Sequence, residues 1–209
     1  MIRDFFSITT QFIAWLIVAP IYILYFKVSV KGSENLKGLR GPLIIATNHV
    51  NWHDAFFIRY IVGFWTPMLP LRNMAAKSFY NPVTQFFYNI GIIPLVFFLL
   101  GSFTVEPGKG LENNLINARR ILRKGGVVVM FPEGKMNKSA ELLPFKKGVA
   151  VLAIEEGVPI LPMYIKEAYN FEEAWKELGV TIGSRFFLDS KNDVLVGSQI
   201  VRDTVSKLK

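Results

Sequence analysis

From residue 5 to residue 26 the chain carries no charged side chain. The run approaches the length needed to cross the hydrocarbon core of a bilayer. Its first half is wetter, with Ser7, Thr9, Thr10 and Gln11, and Pro20 kinks or breaks a helix near its end. Three arrangements fit the pattern: one kinked spanning helix, two shorter helices dipping into one leaflet, or a buried core helix. Arg3 precedes the run, and Lys27, Lys31, Lys37 and Arg40 follow it. Basic residues on both sides suit a segment that keeps both ends at an anionic surface. No small-residue cleavage site follows the run, as a signal peptide would have.

Beyond it the pattern changes to short apolar runs and amphipathic stretches. Residues 27–31 alternate and read as a strand, and 43–47 read as a buried strand. Residues 54–65 read as an aromatic-rich helix ending near Gly63, and 67–76 as an irregular strand. A helix is expected over 77–89 with Pro82 in its first turn. The apolar run 92–103 reads either as a core strand plus turn or as a lipid-facing patch. Leu111, Leu115, Ala118 and Leu122 recur at helical spacing, so 109–124 is a helix, ended by Gly125 and Gly126. Residues 127–131 form a second buried strand and 149–156 a short helix. A strand at 159–165 holds two prolines and is expected to be irregular or at an edge. Asn170 is expected to cap a further helix. Strands close the chain at 180–188 and, more weakly, at 194–196. Strands alternating with helices imply an α/β fold: a central, mostly parallel sheet flanked by helices. Residues 1–26 are its N-terminal membrane-associated helical segment, and 27–209 its α/β domain.

Composition narrows the partners. The net charge is +8 with a pI near 9.7, and 51% of residues are hydrophobic. A basic surface attracts nucleic acid or an anionic membrane. No RNA-binding pattern of aromatics among basic residues is present, and the apolar content favours the membrane. The absence of cysteine excludes disulfides and thiol nucleophiles and fits a reducing compartment.

Two strand ends carry polar chemistry. The first strand leads into Asn48, His49, Val50, Asn51, Trp52, His53 and Asp54, which include both histidines of the chain. Ligand sites of open α/β sheets gather beyond such strand ends. A carboxylate five residues after a histidine can hold the ring in one tautomer and stabilise its charged form, leaving the other nitrogen as a base. The same residues also read as a structural histidine, or as a metal pair with His49 and His53 on one helical face. The second strand leads into Pro132, Glu133, Gly134 and Lys135.

These two sites together resemble the glycerolipid acyltransferase superfamily, typified by lysophosphatidic acid acyltransferases. Asn48, His49 and Asp54 match its first motif, N-H-x-x-x-x-D. Phe131, Pro132, Glu133 and Gly134 match its third, F-P-E-G. Val158, Pro159, Ile160 and Pro162 match its V-P-I-x-P run, and Phe145, Lys146 and Gly148 a family-like F-K-x-G. The resemblance covers residues 27–165. It implies a membrane acyltransferase of phospholipid biosynthesis in which His49 is the general base and Asp54 its partner. Asn48, Phe131, Pro132, Glu133, Gly134, Lys135 and Lys109 would serve substrate binding. The donor would be acyl-CoA or acyl carrier protein as co-substrate, with no bound cofactor or metal. The acceptor would be a lysophospholipid, with 1-acyl-glycerol-3-phosphate the first expectation; the run 92–103, if not a core strand, reads as a wall of an acyl-chain groove or a second membrane-dipping patch. The cytoplasmic membrane, with the catalytic domain on the cytoplasmic side, is the expected location, and no nucleic acid is expected as partner. The alternatives are a different hydroxyl acceptor or a non-catalytic lipid-binding membrane protein. The third motif lacks its usual Thr or Ser and Arg: Lys135, Met136 and Asn137 follow Gly134 instead. The second motif, a Gly before an Ile-rich strand ending in Arg, has only Gly91, Ile92 and Ile93 as a possible start. No Arg occurs between Arg72 and Arg119.

Overall fold

The computed structural model describes residues 2–64, 66–76, 82–106, 108–137, 139, 141–166 and 177–209. Its described strands are β1 (Lys27–Lys31), β2 (Leu43–Thr47), β3 (Leu71–Ala76), β4 (Phe103–Val105), β5 (Val127–Met130), β6 (Ile160–Lys166) and β7 (Glu177–Ile182). They form one sheet in the order β1-β7-β6-β2-β5-β3-β4. Strands β6, β2, β5, β3 and β4 run parallel, so their carboxyl ends share one edge. Strand β7 is antiparallel to β6 and parallel to β1. The α/β fold read from the sequence is the one observed.

The central strands are apolar on both faces because both faces are covered. Leu43, Ile45, Val127, Val129, Leu161 and Met163 pack towards Tyr22 of α1 (Ile2–Tyr25) and Phe57 and Ile58 of α2 (Asp54–Val62). Ile44, Ala46, Val128, Met130 and Ile160 face the other layer. That layer is built by α5 (Leu111–Arg123), α6 (Gly148–Glu156) and α7 (Val194–Ser206).

The structure decides or changes five local expectations. Residues 5–25 lie in one continuous helix, α1, and not in two; Pro20 lies on its exposed side. The run 92–103 is not a core strand. It is helix α4 (Ile92–Leu99), following α3 (Pro82–Asn89), and β4 begins only at Phe103. Strand β6 is irregular, one of the two readings its prolines allowed, and interior, not at an edge. Its register shifts by one residue between the pairs Ile160↔Phe186 and Met163↔Ile182, so an extra residue bulges opposite Pro162. That bulge accommodates the donor that proline lacks. Residues 194–196 open a helix. The Asp193 side chain accepts the Leu195 N–H at 2.7 Å, and Gly197, Val201 and Val205 recur at four-residue spacing on its buried face. The last strand spans Glu177–Ile182 with a single bridge at Phe186 instead of running to 188. The helix expected from Asn170 lies outside the described residues, as do residues 77–81 of the helix expected over 77–89.

Helix α1 meets the body along one stripe. Asp4 and Ser7 bind the buried Arg72 guanidinium at 2.5 and 3.0 Å. Gln11 donates to the carbonyls of Leu71 and Leu100 at 2.8 and 2.7 Å and accepts the Leu71 N–H. Further along, Phe12 packs against Phe64 with the rings tilted by 44°, and Tyr22 reaches His53. The opposite side of α1 is apolar and exposed, with Phe5, Phe6, Ile13, Leu16, Ile17, Ile21 and Leu24. Phe86, Phe87, Leu95 and Phe98 of α3 and α4 are also exposed, and α4 packs on α1. Helix α1 is long and apolar enough to cross a membrane by length and composition.

Candidate active site

The site sits where β2 and β5, neighbours in the sheet, end side by side. Leaving β2, the chain turns through residues 48–53 and winds into α2 with Asp54 as its first residue. One carboxylate oxygen, Oδ2 of Asp54, gathers the turn. It accepts N–H bonds from Val50 at 2.6 Å and Asn51 at 2.8 Å, and meets His49 Nδ1 at 2.8 Å. An oxygen already accepting two N–H groups is the acceptor for the third, so Nδ1 carries the proton and Nε2 is the ring nitrogen left for other chemistry. Asp54 is buried at 1% exposure while His49 keeps 21%, so only the imidazole reaches solvent. The His49 ring lies on the Phe131 ring, 4.2 Å between centroids and 27° from parallel.

The second strand end braces the first. Glu133 is buried, and both its oxygens accept from protein donors: Oε1 from the His49 N–H at 3.1 Å, Oε2 from Asn137 Nδ2 at 2.7 Å and Leu143 N–H at 3.0 Å. The Asn137 N–H returns to the His49 carbonyl at 2.6 Å. Asn48 ties β2 to β6 in the same way, donating to the Ile165 carbonyl at 3.0 Å and accepting its N–H at 2.7 Å. Both side chains thus hold the loops of the site from beneath.

The remaining candidates divide. Pro132 is buried, and its carbonyl accepts the Lys146 N–H at 2.8 Å. Gly134 turns with φ +71°, and its N–H donates to the Phe131 carbonyl at 3.0 Å, so that donor closes the turn. The Lys146 side chain lies directly against Gly134, where a methyl group would meet its ammonium at 2.3 Å. Lys135 is exposed beside this turn. Lys109 stands apart, 63% exposed and paired with Glu106 at 2.6 Å. It follows β4, three strand spacings from β2, roughly 14 Å along the sheet edge. Gly91, offered as the start of the second motif, caps helix α4. The glycine that precedes a strand there is Gly101, before β4, and Glu106 follows that strand.

His53 turns away from His49. Its ring is buried, with Nδ1 3.0 Å from the Tyr22 hydroxyl, and burial lowers its pKa below the ordinary histidine value despite Asp54 nearby. The two histidines therefore face different partners. Among the described residues no group of three or more histidines and carboxylates could hold a metal. Sequence reasoning missed Asn137 and Tyr22. Asn137 offered a faint signal, standing where the third motif is usually extended by polar residues. Tyr22 offered none, being one aromatic in an apolar run.

Residues 27–166 match the protein-family model described as Acyltransferase. The chain is 26% identical over 144 residues to the chloroplastic 1-acyl-sn-glycerol-3-phosphate acyltransferase BAT2 of Brassica napus, covering 66% of this chain and 37% of that protein. It is 45% identical over 126 residues to the 1-acyl-sn-glycerol-3-phosphate acyltransferase of Haemophilus influenzae, covering 59% and 47%. With the human 1-acyl-sn-glycerol-3-phosphate acyltransferase beta it shares 24% over 168 residues, covering 79% and 55%. The chain thus spans about half or less of the length of these curated relatives. The crystal structure of the 1-acyl-sn-glycerophosphate acyltransferase PlsC from Thermotoga maritima has the same fold. Its TM-score is 0.63 at 20% identity, over 99% of this chain and 82% of that one.

Proposed function

The chain belongs to the acyltransferase family, and from that membership we propose that it moves a fatty acyl group from an acyl thioester to a lysophospholipid hydroxyl. The observation that carries the reading is the His49–Asp54 pair, reached by solvent only at the imidazole and braced by Glu133 from the neighbouring strand end. His49 Nε2 takes the proton of the acceptor hydroxyl as its oxygen attacks the thioester carbonyl. Asp54 stabilises the imidazolium that results. The tetrahedral adduct collapses with cleavage of the C–S bond, and the imidazolium returns the proton to the departing thiolate. Ester and free thiol are the products, and no covalent enzyme intermediate is needed.

The acceptor is 1-acyl-glycerol-3-phosphate, in keeping with the names of the relatives. Its phosphate meets lysine rather than arginine, with Lys135 beside the Gly134 turn and Lys109 further along the edge. Acyl-CoA or acyl carrier protein is the donor. The exposed apolar side of α1, joined by α3 and α4, seats the enzyme in one leaflet of an anionic membrane. A spanning orientation is disfavoured because α1 is docked along its length, and crossing would carry the sheet edge into hydrocarbon. The catalytic domain lies on the cytoplasmic side, where thioester donors are made.

The test is acyl transfer by the purified chain in mixed micelles, with CoA and carrier-protein thioesters against lysolipid and other hydroxyl acceptors. Thioester-dependent acylation of 1-acyl-glycerol-3-phosphate, lost in His49→Ala, is expected. Acylation of another hydroxyl compound alone would keep the chemistry and replace the acceptor. Lipid binding with no thioester consumed would leave a non-catalytic lipid-binding protein.

A further inference from the structure

We propose that Tyr22 is a positioning residue through which helix α1 sets the geometry of the His49–Asp54 pair; the inference rests on the reading of that pair as the proton-handling site. The turn between the two residues has two ends, braced differently. The His49 end is held by the loop after β5, through Glu133 and Asn137. The Asp54 end is held by His53, whose backbone carbonyl accepts the N–H groups of Phe56 and Phe57 at 2.9 Å each and so starts α2. A shift of His53 therefore moves the first turn of α2, and Asp54 is the next residue. The His53 side chain is anchored in turn at Nδ1 by the Tyr22 hydroxyl, 3.0 Å away and buried.

Tyr22 is itself locked in place. Its ring stacks on Tyr60 with centroids 5.0 Å apart, and lies 5.5 Å from Phe57 and 5.2 Å from Phe26. The hydroxyl is thereby aimed at one atom. Small misplacements of a base are costly, because proton transfer needs the reacting atoms within hydrogen-bond reach. The outer side of the same helix is exposed and apolar. One element thus meets lipid on one side and anchors the aspartate end of the pair on the other, so seating on the bilayer and order at the site are coupled.

Tyr22→Phe keeps the ring and removes the anchor. In the full chain in mixed micelles we expect kcat to fall three- to tenfold, about 0.65–1.4 kcal/mol of barrier. KM for the acceptor should be unchanged, as should co-sedimentation with vesicles of equal parts phosphatidylglycerol and phosphatidylcholine, since the apolar side is intact. His53→Ala should show the same loss. His53→Asn, whose amide can meet the Tyr22 hydroxyl, should recover most of it. With two histidines in the chain, imidazole ¹⁵N spectra are simple to assign. The His49 Nδ1–H signal, hydrogen-bonded to Asp54, should shift or broaden in Tyr22→Phe. This spectral arm stands even if the parent transfers no acyl group, an outcome that would sink the acyltransferase reading but not decide the anchor. An unchanged His49 signal overturns the proposal whatever kcat does, and so does a parental kcat in an active enzyme.

Discussion

Replacing Asp54 by Asn removes one charge and little else. The amide oxygen can still accept the Val50 and Asn51 N–H groups that now converge on Oδ2, so the turn into α2 keeps its tethers. What is lost is the carboxylate facing the imidazolium that forms when His49 takes a proton. The contact is 2.8 Å, and Asp54 is 1% exposed. With charge centres about 4 Å apart and an effective dielectric of about 20, the attraction is about 4 kcal/mol. At about 1.4 kcal/mol per decade, kcat should fall by about three orders of magnitude. Because the ring becomes charged only as the proton moves, the loss belongs in kcat, with KM little changed. The assay is thiol release from an acyl thioester in mixed micelles containing 1-acyl-glycerol-3-phosphate, with thermal unfolding followed in parallel. A folded Asp54→Asn protein retaining more than a tenth of parental kcat would refute the reasoning, for Asp54 would then be a loop tether and not an electrostatic partner.

Two further outcomes follow from buried groups on α2 and just before it. Arg59 is nearly inaccessible, its guanidinium is pushed down to about 10 by burial, and its Nε and Nη2 find no hydrogen-bond partner among the described residues. Among the described residues its hydrogen bond to the Gly63 carbonyl is long at 3.3 Å, and its guanidinium carbon lies 5.9 Å from the Phe64 ring centroid. Arg59→Met should therefore leave urea stability unchanged or raise it by about 1–3 kcal/mol, and a clear loss would show that the charge is compensated. His53 has a folded pKa below its ordinary 6.5, chiefly through burial. The unfolded chain then binds more protons than the folded one as pH falls through 6.5 towards the folded value. Stability should rise with pH across that window, and be lost on acidification. His53→Asn should flatten that part of the urea-midpoint profile relative to the parent, and parallel profiles would falsify the assignment.

Local patterns carried much of this molecule. Strands β2 and β5 were legible because unbroken apolar runs between polar turns suit central strands covered on both faces. Helix α5 was legible because Leu115, Ala118 and Leu122 mark one buried stripe. Where the pattern misled, packing outweighed it. Val194, Leu195 and Val196 have strand propensity, yet the Asp193 cap and the buried Gly197, Val201 and Val205 draw them into α7. The run 92–99 is apolar on every side, so periodicity cannot separate a buried strand from a helix exposed beside α1.

The same division runs through the site. His49 and Asp54 are five residues apart, within reach across one turn, so the spacing allowed their pairing beside a structural histidine or a metal pair, and the F-P-E-G and V-P-I-x-P matches favoured it. Glu133 meets the His49 N–H across 84 positions, Asn48 meets Ile165 across 117, and Tyr22 meets His53 across 31. No period in a sequence encodes such distances, because they depend on which strand lies beside which and on how α1 crosses α2. The residue types proposed for the chemistry, and their nearness along the chain, were therefore determined by the sequence itself. Only the tertiary structure decided what braces them: Glu133 and Asn48 serve from beneath, and an apolar helix reaches in through one hydroxyl group.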